Sequence, residues 1–109
     1  GNYLPDTEYI VHSFRNGHDL YGEYDDRRRF ILHPSGKKRT GHPNEKPLSV
    51  MCRLLRVGTC EADTILDPFA GSGSTLEAAR LCGRKAIGIE IEERWCQLTA
   101  DRLSQGVLF

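Results

Sequence analysis

Leu48, Met51, Leu54 and Leu55 recur at three- and four-residue spacing between Pro47 and Gly58. That period predicts a helix, with the proline suited to its first turn and the glycine to its stop. Thr64–Leu66 is a short apolar run, expected to form a buried strand that leads into Asp67-Pro68-Phe69-Ala70-Gly71-Ser72-Gly73. A second helix is expected from about Ser74 to Leu81, ended by Gly83, and a second strand over Ala86–Ile91. The last helix should run from about Glu92 to Leu103, with Trp95, Leu98 and Leu103 toward the core and Gly106 after it. Helix, strand, turn, helix, strand, helix is the order of a parallel α/β sheet with flanking helices.

The first forty residues read differently. Glu8–Phe14 is rich in aromatic and β-branched residues and lies between the turn signals Pro5-Asp6 and Asn16-Gly17, so a strand is expected there. From Asn16 to Gly41 the chain is polar and punctuated by Gly17, Gly22, Pro34, Gly36 and Gly41. Phe30-Ile31-Leu32 is its one apolar patch, a candidate minor strand. A polar stretch of that length in a compact domain is usually functional or disordered. Three segments follow: 1–15, a strand; 16–41, a polar basic loop; and 42–109, a βαβ segment.

At 109 residues the chain is one small domain or a piece of a larger one. Fifteen basic residues balance fifteen acidic ones, so the average charge says nothing about a partner, but the distribution does. Arg27, Arg28, Arg29, Lys37, Lys38, Arg39 and Lys46 face a single acid, Glu45, across that stretch, whereas the last fifty residues lean acidic. A local basic run inside a neutral chain is a candidate phosphate-contact surface, although such runs are more often solvated loops. Cys52, Cys60, Cys82 and Cys96 form no C-x-x-C pair and have no matching histidines, which suggests neither a zinc site nor a disulfide framework. They are expected to be small buried hydrophobes in a reducing cytosol. No apolar run approaches membrane-spanning length and no signal-peptide pattern opens the chain.

Candidate chemistry gathers at the glycine turn. Strand, Gly71-Ser72-Gly73, helix puts small residues where the backbone turns sharply and a ligand can come close. The helix start behind it presents N–H groups and a positive dipole end. Glu90 lies at the end of the next expected strand, where a carboxylate can accept hydrogen bonds from both hydroxyls of a ribose. Leu76 stands where the third glycine of a G-x-G-x-x-G dinucleotide fingerprint would be, and no Gly-Lys-Ser/Thr follows to make a P-loop. The pattern suits a nucleoside cofactor with no pyrophosphate to wrap. A nucleotide-dependent oxidoreductase or another Rossmann-like enzyme is the competing reading, and the absent third glycine argues against it.

Asp67-Pro-Phe-Ala-Gly-Ser-Gly-Ser-Thr75 is similar to the cofactor motif of DNA methyltransferases that modify the exocyclic amino group of adenine or cytosine. His42-Pro-Asn-Glu-Lys-Pro47 resembles the His-Pro-x-x-Lys-Pro element that precedes this motif in one permuted class of those enzymes, and Ile87-Gly-Ile-Glu-Ile91 resembles the family's acidic strand end. Together these elements cover about sixty residues, from Gly41 to Leu103. The resemblance implies a partial Rossmann-like fold of the S-adenosylmethionine-dependent methyltransferases. It also implies roles. Asp67, Phe69, Gly71, Ser72 and Gly73 would line the methionine and ribose end of S-adenosylmethionine, Glu90 would hold the ribose, and Ile91 would pack on the adenine. Asn44 and Lys46 would approach the cofactor's amino-acid end, where an ammonium can meet a carboxylate. The family more often carries Thr-Gln where this chain has Asn44-Glu45, which adds a negative charge near the cofactor entrance.

Family members act through an Asp/Asn/Ser-Pro-Pro-aromatic loop that holds the target amino group while an aromatic stacks on the flipped-out base. None of the five prolines here adjoins another. In the permuted class that loop lies N-terminal to everything seen in this chain. The expectation is therefore a C-terminal segment of a methyltransferase, inactive alone, needing an N-terminal catalytic half or a partner chain; the alternative is a non-catalytic relic or subunit that binds cofactor or DNA. Residues 16–41 would occupy the place of a short target-recognition region on double-stranded DNA, with Arg27–Arg29 and Lys37–Arg39 on phosphates. Too few strands for a complete sheet would leave edges that invite pairing with a second copy. The resemblance implies a bacterial, archaeal or phage restriction–modification protein, expected in the cytoplasm.

Overall fold

The fold was read from a computed structural model, which describes residues 9–13, 20–22 and 46–104. Among the described residues, three helices and two strands follow one another in the expected order. Helix α1 spans Leu48–Gly58. Pro47 stands one place before it, as an extended N-cap whose carbonyl accepts the Met51 N–H at 3.1 Å. Thr59 closes the other end, donating both its N–H and its hydroxyl to the Leu55 carbonyl. The inner face is Leu48, Met51, Cys52 and Leu55, one apolar stripe at helical spacing. It packs on Ala78 and Ala79 of helix α2 (Ser74–Leu81), with Ile65 beneath. Burying a leucine such as Leu55 contributes on the order of 2 kcal/mol.

Strands β1 (Thr64–Asp67) and β2 (Lys85–Gly88) pair in parallel, with Leu66 opposite Ile87 and Asp67 opposite Gly88. Helix α2 is the crossover between them, and helix α3 (Glu93–Ser104) follows β2. Gly88 is where strand and α2 come closest: a Cβ there would lie 2.5 Å from Leu76 Cδ1 and 3.1 Å from the Ala70 Cβ. The fold class is thus the expected α/β parallel arrangement with flanking helices.

Several details depart from the sequence expectation. β1 is not buried on both faces: Leu66 is 62% exposed and its register partner Ile87 57% exposed. Helix α2 covers the face carrying Ile65 and Gly88, and among the described residues the opposite face is bare. β2 ends at Gly88 rather than Ile91. The reason is local. Asp67 Oδ1 captures the Phe69 N–H at 3.0 Å, so Ala70 bonds the Ile89 carbonyl in its place and the regular ladder stops. Residues 9–13 are exposed and lie in no strand, since no ladder partner flanks them among the described residues; Glu8, Phe14 and the Phe30–Leu32 patch lie outside those residues.

The cysteines are less buried than expected. Cys60 and Cys96 are exposed, and Cys52 and Cys82 are half-buried. Cys60 falls in the turn after α1, and Cys96 faces the rim of the sheet, donating to the Glu90 carbonyl at 3.2 Å. On α3, Trp95, Leu98 and Leu103 are half-buried, while the buried position is Thr99.

Candidate functional site

Parallel strands present their carboxyl ends on the same edge, so whatever follows β1 and β2 is brought together there. After β1 the chain turns through Pro68 to Gly73. The Asp67 carboxylate holds the start of the turn through the Phe69 N–H. Gly71 and Gly73 both adopt left-handed backbone, at φ 55° and 86°, which side chains with a Cβ rarely take. Ser72, between them, is buried. The Gly73 N–H donates to the Ala70 carbonyl at 2.9 Å, and Gly73 is itself the N-cap of α2. A Cβ on Gly73 would meet Thr99 Cγ2 at 2.5 Å, so space as well as φ requires glycine.

After β2 the chain supplies Glu90. Its Oε1 accepts the Gly71 N–H at 3.0 Å, nineteen residues away in sequence, and its Oε2 accepts the Glu92 N–H at 2.9 Å. One half-buried carboxylate therefore joins the glycine turn to the start of α3. A carboxylate has about four lone-pair sites, so two remain for a ligand. Beside it stand two large apolar side chains in the open, Phe69 at 87% and Ile91 at 97% exposure. Exposed apolar side chains grouped around a polar cradle are a common mark of a binding site.

Asp67, Phe69, Gly71, Ser72, Gly73, Glu90 and Ile91 are thus all brought to one edge of the sheet. Lys46 is exposed just ahead of α1. Asn44, Arg27, Arg28, Arg29, Lys37, Lys38 and Arg39 lie outside the described residues.

Two residues at the site were not singled out from the sequence. The Thr99 hydroxyl donates to the Gly71 carbonyl at 3.2 Å, and Arg102 Nη1 donates to the Ser72 carbonyl at 2.9 Å. Arg102 Nε also pairs with Glu77 in the first turn of α2, both side chains being about nine-tenths buried. Thr99 and Arg102 are one turn apart on α3, and that spacing of a threonine and an arginine was the sole available signal.

A family model described as DNA methylase matches residues 14–101. The type II methyltransferase M2.LlaDCHI of Lactococcus lactis subsp. cremoris is 41% identical over 68 residues, which are 62% of this chain and 25% of that protein. Among solved structures, the M1.HpyAVI–SAM complex is similar at a TM-score of 0.70 and 30% identity, over 78% of this chain and 42% of that one. The cytosine-N4-specific PvuII DNA methyltransferase gives a TM-score of 0.59 over 72% of this chain and 32% of that one; at 21% identity this likeness speaks to fold alone. The chain spans about a quarter of the length of the curated relatives it matches.

Proposed function

Since the chain belongs to the DNA methylase family, by its match over residues 14–101, we propose that it forms the S-adenosylmethionine-holding part of a methyltransferase for an exocyclic amino group of adenine or cytosine in DNA. The observation that carries this reading is the Gly71 N–H bond to Glu90 Oε1, which sets an acid with spare acceptor capacity against a left-handed glycine turn. The residues fit such a cofactor. Glu90 takes the ribose hydroxyls and Ile91 offers a flat apolar contact to the adenine. Phe69 and the turn Gly71-Ser72-Gly73 line the ribose and methionine end, with Asp67 fixing the turn's entry. Lys46, with Asn44, approaches the amino-acid carboxylate.

The bound cofactor's sulfonium supplies the methyl group. The residues of this chain hold and orient it, and the acceptor for the target amino group is supplied by a Pro-Pro-aromatic loop, a sequence this chain does not contain. Arg27–Arg29 and Lys37–Arg39 serve as phosphate contacts, sequence-independent and salt-sensitive.

Calorimetric titration with S-adenosylmethionine, with NAD as control, tests the cofactor reading. Saturable binding of the first ligand alone is expected. Glu90→Gln should weaken it roughly tenfold or more, because a hydrogen bond to an ionised acceptor is replaced by a neutral one. A folded chain that binds NAD and not S-adenosylmethionine would return the site to the dinucleotide class.

A further inference from the structure

The glycine turn is held from behind by α3, and the two bonds that hold it end on consecutive carbonyls. Thr99 takes the Gly71 carbonyl and Arg102 the Ser72 carbonyl. A peptide unit is planar and trans, so fixing a carbonyl on one side directs the next N–H to the other. Thr99 therefore turns the Ser72 N–H away from α3. Arg102 fixes the orientation of the Ser72–Gly73 peptide, whose N–H closes the turn on Ala70. Both glycines are free to take many conformations, and nothing in their own chemistry selects this one. The Arg102–Glu77 pair, buried between α2 and α3, keeps the guanidinium from moving.

We infer that Thr99 and Arg102 are positioning residues for the cofactor: they set the direction of the glycine-turn peptides against which it binds. The inference rests on the cofactor reading above. Both side chains act on the turn through the Gly71 and Ser72 carbonyls. Their effect is to remove the alternative conformations that two glycines would otherwise sample, so that less ordering remains to be done on binding.

Thr99→Val keeps the shape that packs against Gly73 and deletes the hydroxyl. By calorimetry it should bind S-adenosylmethionine roughly two- to tenfold more weakly than wild type, as expected for one neutral hydrogen bond, and Thr99→Ser should recover binding to within about twofold. Because Arg102 and Glu77 are buried as a pair, the double variant Arg102→Met/Glu77→Met, which removes both members together, tests the second carbonyl. It should remain folded and also bind more weakly. The Ser72 amide resonance, read without ligand, separates the two ideas. It should shift in Thr99→Val and return in Thr99→Ser even where wild type binds no S-adenosylmethionine, an outcome that would sink the cofactor reading alone. Wild-type affinity in Thr99→Val, or an unmoved Ser72 amide, overturns the positioning role.

Discussion

At the scale of single residues, a few polar groups decide what the glycine turn is. Glu90 ties it to the start of α3, Asp67 sets its entry, and Thr99 and Arg102 fix its carbonyls. Away from the site, Cys52 shows a different effect. Burial between α1 and α2, with a contribution from neighbouring Cys82, pushes its thiol up to about 11 from an ordinary 9.0. The folded chain then holds this proton more tightly than the unfolded one. The resulting stability is full below pH 9 and falls as pH rises through the window from 9 to 11. Urea midpoints measured across that window should drop more steeply for wild type than for Cys52→Ala. Parallel curves would show that the thiol contributes no linkage.

The elements themselves were legible because their patterns are local. The stripe Leu48, Met51, Leu55 gave α1, and the alternation of glycine turn and apolar runs gave β1, α2 and β2. Where β2 stops was not legible, since it depends on the Asp67 side chain winning the Phe69 N–H from the ladder. Nor were Thr99 and Arg102, whose partners lie 28 and 30 residues away and whose local pattern matches any polar helix face. Leu76 gave half of a message. In the dinucleotide fingerprint a third glycine on the helix lets helix and strand come close. Here the helix carries Leu76 and the strand carries Gly88, so the space is made from the other side. Gly88→Ala should accordingly cost about 1–3 kcal/mol by overpacking. The double variant with Leu76→Ala should recover part of that loss in a thermal-melt cycle, and strict additivity would mean the two positions do not share the space.

At the scale of the whole molecule, the described fold is a two-stranded sheet covered by α2 on one face. Its other face carries Leu66 and Ile87 side by side and open. Such a face favours association through apolar contact. Where the sedimentation mass of this chain rises with concentration, replacing both residues by lysine should lower it, with little change in circular dichroism. An unchanged mass would place any self-association elsewhere. No helix of the described residues is long and apolar enough to cross a membrane. Among the described residues the buried apolar cluster lies between α1 and α2, and in it the side chains of Ala78 and Ala79 are completely buried. Alanine has no rotamers to freeze, so those two positions give up no side-chain entropy on folding. Any looseness in how α1 sits on α2 must therefore come from the longer side chains on α1, Leu48, Met51 and Leu55, and not from the alanine surface they rest on.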